Sequence, residues 1–157
     1  MFEAPEKSKE IIDYLELEKV PENGGWFKLI HHDVPAQHNN CPNSCKQANS
    51  TTILRLVEHG SATPWHRIGA TTIWSFLDGD PLMLSLYCDD GVAKTQILGN
   101  MVGSVHQPLV LIPGNCWRQF ICMGEWTLSS CICTPGFEFE QLELAENGWV
   151  PDELFRH

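Results

Sequence analysis

Positive charge is scarce in this chain. Ten Lys and Arg stand against twenty Asp and Glu in 157 residues, a formal net charge of -10. Nucleic acid and anionic membranes both demand a basic face, so neither is an expected partner. Long apolar runs are missing as well, and no segment approaches the roughly 20 residues of a membrane-spanning helix. The opening stretch "MFEAPEKSKEIIDYLELEKV" is acidic and amphipathic. It lacks the basic start and the apolar run of about 7–15 residues that mark a secretory leader. The expectation is a cytoplasmic protein whose thiols stay reduced. Repeats and low-complexity tracts are absent too, which leaves a single domain, 1–157, long enough to bury a core of its own.

Cysteine is present, but not as a framework. Seven is an odd count, which fits free thiols better than paired ones. "CPNSC" sets Cys41 and Cys45 four apart with no second pair at zinc-like spacing, and Cys131 and Cys133 alternate on an apolar strand as buried, inert thiols. Cys116 beside Trp117 is a candidate reactive thiol, without a positioned His to activate it.

What the sequence does contain is a helix followed by many short strands. Over residues 7–18, Ile11, Ile12, Leu15 and Leu17 form one apolar stripe, with Ser8 as the expected N-cap. Pro21 and "NGG" close this arm. "WFKLIHH" begins the period-two pattern. A long polar loop over 33–50 follows, either a surface excursion or a lid, with His31, His32 and His38 solvated. Then come "TTILRLVE", "TTIWSFLDG", "PLMLSLYC", "AKTQILG", "PLVLIP", "WRQFICM" and "WTLSSCICT", separated by turn residues. Such spacing indicates an all-β sandwich or barrel. Asp78 and Asp80 flank Gly79 as turn formers.

Five motifs carry a resemblance: "GGWF" (24–27), "WHR" (65–67), "IWSFLDGDPL" (73–82), "LIPGNCW" (111–117) and "CTPGFEFEQLEL" (133–144). In this order they are similar to the cupins, and within them to the single-domain "cupin-five" proteins. The resemblance implies a double-stranded β-helix, or jelly roll, over about 25–144. The short N-terminal helical arm precedes it and a tail, 145–157, follows. It also implies a homodimer, for which exposed sheet edges give a physical reason.

The same resemblance supplies a metal frame, and the frame is not filled. The first cupin motif runs Gly, five residues, His-X-His, a short gap, Glu, six residues, Gly. Here Gly60, His66 and Gly79 keep their places, while Ile68 and Thr72 stand where the second His and the Glu belong. The fourth ligand position falls at Arg118, five residues after Pro113. Isoleucine and a permanently charged guanidinium offer no lone pair, so no metal and no other cofactor is expected.

The candidate catalytic residues are therefore His66, with an unperturbed pKa near 6.5, and Arg118 as a bidentate anion clamp. Alternation places Ile68, Thr72, Trp74 and Phe76 on the face of His66. Trp65 and Trp117 are candidate walls, and Arg55 is a candidate whose phase alternation alone leaves open. Leu29, Ile30, Leu54 and Ile68 suggest a greasy ligand. These residues point to a metal-independent isomerase, cyclase or lyase acting on a small, carbonyl-bearing, partly apolar metabolite, in keeping with specialised biosynthesis. The alternatives are a cavity that binds without turnover, and a metalloenzyme with unusual ligands such as His66 with His106 or Cys116.

Overall fold

The computed structural model describes residues 3–21, 24–33, 47–101 and 103–152. The middle of the long loop, with His38, Cys41 and Cys45, and the final residues 153–157 lie outside the described residues.

The helix α1 (Glu3–Leu15) starts and ends earlier than its apolar stripe suggests. Ser8 is inside it rather than capping it, and donates its hydroxyl to Glu58 Oε1 at 2.8 Å. Termination comes from a two-bond closure, not from Pro21. Glu16 adopts φ 55°, its amide donates to Asp13 O at 3.2 Å, and the Leu17 amide donates to Ile12 O at 2.9 Å. That pattern pulls Leu17 back onto Ile12 and satisfies the last carbonyls. Both side chains then pack with Leu56 and Trp126 in a buried cluster.

Strands β1 (Glu18–Lys19), β2 (Trp26–Asp33), β3 (Ser50–Glu58) and β4 (His66–Arg67) follow. Next come β5 (Thr71–Gly79), β6 (Leu82–Tyr87), β7 (Ala93–Leu98) and β8 (His106–Gln107). The chain continues through β9 (Leu109–Ile112), β10 (Trp117–Cys122), β11 (Trp126–Thr134) and β12 (Glu143–Leu144). They form two six-stranded sheets, in the orders β1-β2-β3-β11-β5-β9 and β12-β4-β10-β6-β7-β8. All pairings are antiparallel except β7 with β8. The expected all-β jelly roll with one short helix is what the chain forms.

Between the sheets, one end is solid. Leu82, Leu84, Leu86, Leu98, Val110 and Ile112 pack there with almost no exposure. The turn after β5 is tight: Gly79 sits at φ 89° with Trp126 where a Cβ would go, so only glycine fits without strain. Asp80 Oδ2 accepts the Glu125 amide at 2.6 Å, so the acids flanking Gly79 build turns, as expected. The other end of the sandwich is hollow.

One expectation about cysteine fails. Cys88, just past β6, and Cys116, just before β10, are bonded as a disulfide closing a separation of 28 residues. The antiparallel pairing of Tyr87 with Trp117 brings them opposite each other. Cys116 is thus not a reactive thiol, and the argument from reduced thiols loses its footing for this pair. Among the described residues, no helix is long and apolar enough to cross a membrane.

Candidate functional site

The hollow end encloses a cavity of about 290 Å³. His66, Ile68, Thr72, Trp74, Arg55 and Arg118 all line it, together with Phe120, Phe137, Phe139, Cys131, Cys133 and others. Among the described residues, no Asp or Glu lines it. Its walls are apolar, and its fixed charge is positive.

The residues expected on a single strand face reach the cavity by another route. The chain breaks between β4 and β5, so His66 belongs to one sheet and Thr72 and Trp74 to the other. They face one another across the space instead of standing in one row. His66 has Arg118 directly opposite it in the β4–β10 register, so imidazole and guanidinium emerge side by side. Arg55 resolves its phase inward, with Nη2 donating to Gly24 O at 3.1 Å.

Arg118 is the largest fully buried side chain, 1% exposed. Its Nε donates to Cys116 O at 3.2 Å, Nη1 to Thr72 Oγ1 at 2.8 Å and Nη2 to Pro113 O at 3.1 Å. A guanidinium has five N–H groups. Three are used, which leaves one on each terminal nitrogen without a partner among the described residues. Each of these can donate to an oxygen of an anion. Burial lowers Arg118 from its ordinary value to about 10, which leaves it charged at neutral pH. Arg55 is lowered to about 10 for the same reason. The buried Arg118 charge, with no carboxylate partner among the described residues, makes an arrangement that an anionic ligand could complete.

His66 differs from the expected mid-range acid–base group. Its Nδ1 lies 2.9 Å from Pro64 O, which fixes the proton on Nδ1 and the lone pair on Nε2. Burial above all, with the charges of Arg118 and Arg55 adding to it, pulls its pKa down to about 4. At neutral pH the ring is an uncharged acceptor rather than a half-protonated shuttle.

Several expected wall residues are elsewhere. Trp65 and Trp117 precede His66 and Arg118 by one position, so their side chains lie on the outer face. There Trp149 packs at 5.9 Å from Trp65 and 4.9 Å from Trp117, and Arg67 stacks on Trp117 at 4.7 Å. Phe76 packs into the solid core and does not line the cavity. A register shift at Leu128/Ser129 of β11 occurs beside it. Leu54 joins the cluster under α1, and Ile30 is exposed. Of the four residues read as a greasy lining, only Leu29 and Ile68 serve. His32, read as solvated, is exposed and also borders the cavity.

Sequence reasoning missed Phe120, Phe137, Phe139 and the two inward thiols. Phe120 was accessible: two residues beyond Arg118 on β10, it must share its face. Phe137 and Phe139 come from the segment after β11, where no strand periodicity guides the reading.

The frame does not fit a metal. Ile68 has no donor, Arg118 repels a cation, and Thr72 Oγ1 already accepts from Arg118 and from Trp74 Nε1, the latter at 3.2 Å. His106 packs against Gly99, on strands at the far edge of the sheet from β4, and Cys116 is in the disulfide. No group of three or more His, Cys, Asp or Glu among the described residues is placed to hold an ion.

Comparison with known proteins agrees with this fold. The family model described as "Cupin superfamily (DUF985)" matches residues 9–145. No curated protein matches the chain. The chain is similar to the X-ray structure of a protein from Shewanella oneidensis, with 26% identity and a TM-score of 0.77 over 88% of this chain and 84% of that one. A hypothetical protein from Leishmania major gives the same TM-score of 0.77 at 22% identity, over 94% and 92% of the two chains. Oxalate decarboxylase from Bacillus subtilis shares the fold alone, at 12% identity and a TM-score of 0.60, over 83% of this chain and 30% of that one.

Proposed function

The chain belongs to the DUF985 family of the cupin superfamily, and on that scaffold we propose a metal-independent enzyme of the isomerase, cyclase or lyase type. Its substrate is a small, partly apolar metabolite that bears a carboxylate and an enolisable carbonyl. The observation that carries this reading is the buried Arg118 guanidinium, with one N–H left on each terminal nitrogen, beside the lone pair of His66.

In this reading Arg118 receives the carboxylate bidentately, and Arg55 adds positive potential along the same wall. Phe120, Phe137 and Trp74 hold the apolar part and exclude water, which strengthens each polar contact. His66 Nε2 accepts a proton from carbon, and the enolate that forms is stabilised by the guanidinium charge. A base with a pKa near 4 is weak in the empty cavity. The negative charge of a bound carboxylate raises it, so the ligand itself brings His66 toward a useful basicity.

The depressed basicity of His66 also supports a second reading, a cavity that binds carboxylates without turnover. The two separate with one compound, 4-oxo-4-phenylbutanoate, which has the carboxylate, the ketone and the aryl group. Calorimetry measures its binding, and proton NMR in deuterium oxide measures exchange at the carbon next to the ketone. Arg118→Met should weaken binding by roughly tenfold or more, the worth of a charge-assisted hydrogen bond. His66→Gln should keep binding and slow catalysed exchange by about a hundredfold, a typical acid–base contribution. Binding without catalysed exchange in the wild type selects the second reading. Equal binding by wild type and Arg118→Met refutes both.

A further inference from the structure

The steps above leave the hydroxyl of Thr72 as no more than a rest for Arg118, yet its hydrogen bonding is incomplete. Thr72 is 1% exposed, lines the cavity and stands on β5 between Cys133 of β11 and Ile112 of β9. Its Oγ1 accepts from Arg118 Nη1 at 2.8 Å and from Trp74 Nε1 at 3.2 Å. A hydroxyl oxygen has two lone pairs and one hydrogen, and neither a guanidinium nor an indole N–H can accept. Both lone pairs are therefore taken, and the hydroxyl can act further only as a donor. For that hydrogen there is no acceptor among the described residues.

A buried donor with nothing to bond is costly, and a ligand oxygen in the cavity removes that cost. The donor is also a strong one. Two N–H groups, one of them charged, draw electron density from Oγ1 and sharpen its remaining hydrogen as a donor. Position matters as well. Arg118 begins beside His66 on one sheet and reaches across to Thr72 on the other. His66 keeps its lone pair on Nε2, because Nδ1 is engaged with Pro64 O. A ligand between the sheets thus meets donors at Arg118 and Thr72, and an acceptor at His66.

We propose that Thr72 donates its hydroxyl hydrogen to the ligand's ketone oxygen and makes the cavity select oxo acids over their deoxo counterparts, which rests on the preceding reading that Arg118 holds the carboxylate. In the proton transfer, His66 Nε2 takes a proton from the carbon next to the ketone. The C–H pair becomes a carbon–carbon double bond, and the π pair of the carbonyl moves to its oxygen as an enolate. Thr72 keeps its proton, and its hydrogen bond tightens as negative charge builds on that oxygen. Return of the proton from His66 to carbon restores the ketone and the neutral imidazole, with no net change in atoms or electrons.

The test is a cycle of two ligands and three proteins, all as the full chain. The ligands are 4-oxo-4-phenylbutanoate and 4-phenylbutanoate, which has a methylene in place of the ketone. The proteins are the wild type, Thr72→Val, which keeps the branched shape without the hydroxyl, and Thr72→Ser, which keeps the hydroxyl. Calorimetry measures each affinity. If Thr72 only supported Arg118, its loss would weaken both acids alike and cancel in the ratio of their affinities. The ratio of oxo to deoxo acid should instead fall roughly tenfold in Thr72→Val and recover in Thr72→Ser. A ratio that Thr72→Val leaves within about twofold, or that Thr72→Ser fails to restore, overturns the proposal while the anion-binding reading stands. So does a wild type that binds only the deoxo acid. Binding of neither acid by the wild type overturns both. If Thr72→Val does not fold by circular dichroism, carbon-13 NMR of the labelled ketone on the wild type decides. A bound signal at or downfield of its position in water supports the donor, and an upfield shift, as in an apolar solvent, overturns it.

Discussion

His66 gives the sharpest link between site and stability. The folded protein holds its imidazole at about 4, whereas an unfolded chain protonates near 6.5. Between those values the unfolded state binds more protons, so stability falls as the pH falls. The contribution is intact above about pH 6.5 and is lost progressively as pH approaches the folded value. Integrated between about pH 7 and pH 4.5, the loss assigned to this one side chain is about 2.5 kcal/mol. Acidic residues also titrate in that range, and a variant removes them from the comparison.

The variant is His66→Gln, which cannot protonate and keeps polar atoms near the Pro64 carbonyl. Urea unfolding of both proteins at about pH 7 and pH 4.5 yields four stabilities. Any constant cost of the substitution cancels in the difference between the two pH values. The wild type should lose about 2.5 kcal/mol more than the variant on acidification. Saturating 4-oxo-4-phenylbutanoate should shrink that gap, because an anion beside the ring favours its protonation. Loss that matches in the two proteins to within about 0.5 kcal/mol, inside the scatter of such measurements, would show that the imidazole is not desolvated, and the account of the cavity would fall with it.

Two further outcomes follow from neighbouring residues. Arg118→Met removes a buried charge that no carboxylate balances among the described residues, and Thr72 Oγ1 keeps Trp74 Nε1 as a partner. Melting temperature and urea unfolding should place this variant within about 1 kcal/mol of the wild type, and a loss above about 3 kcal/mol would make the guanidinium a structural keystone instead. Reducing Cys88–Cys116 reopens a 28-residue separation, worth about 3.5 kcal/mol in loop entropy. Alkylation of both thiols in the denatured, unreduced protein would refute the bond.

Much of the architecture was readable because turn residues and period-two runs are local signals. The longer strands lie where "TTILRLVE", "PLMLSLYC" and "WTLSSCICT" place them, and the Gly60 to Gly79 frame positions His66 correctly. What failed has distinct physical causes. Alternation is a rule within one strand, and it carries no information about the crossing at Gly69–Ala70 that sends His66 and Thr72 to opposite sheets. The disulfide depends on which strands pair, and Cys88 meets Cys116 only because β6 lies beside β10. Trp65 and Trp117 are a different kind of miss. Each adjoins a residue read as inward, so the same rule, applied once more, puts both outside. The helix end was hidden because its closure uses Glu16 at positive φ, a conformation for which Gly or Asn is the usual signal.

The substitution at the fourth frame position has consequences for the kind of chemistry the cavity supports. A cation at such a site acts as a point charge and acidifies bound water. The Arg118 guanidinium retains positive charge but distributes it over a plane, and it is oriented by Cys116 O, Thr72 Oγ1 and Pro113 O. It can hold a carboxylate or meet charge developing on a ligand oxygen, but it cannot generate a hydroxide. The wall offers one further group suited to carbon chemistry, a neutral imidazole with its lone pair on Nε2. A cationic clamp and a neutral base around an aromatic space would suit proton transfer better than hydrolysis. In the proposed reading, the frame position of a metal ligand is held by a guanidinium that meets a ligand oxygen instead.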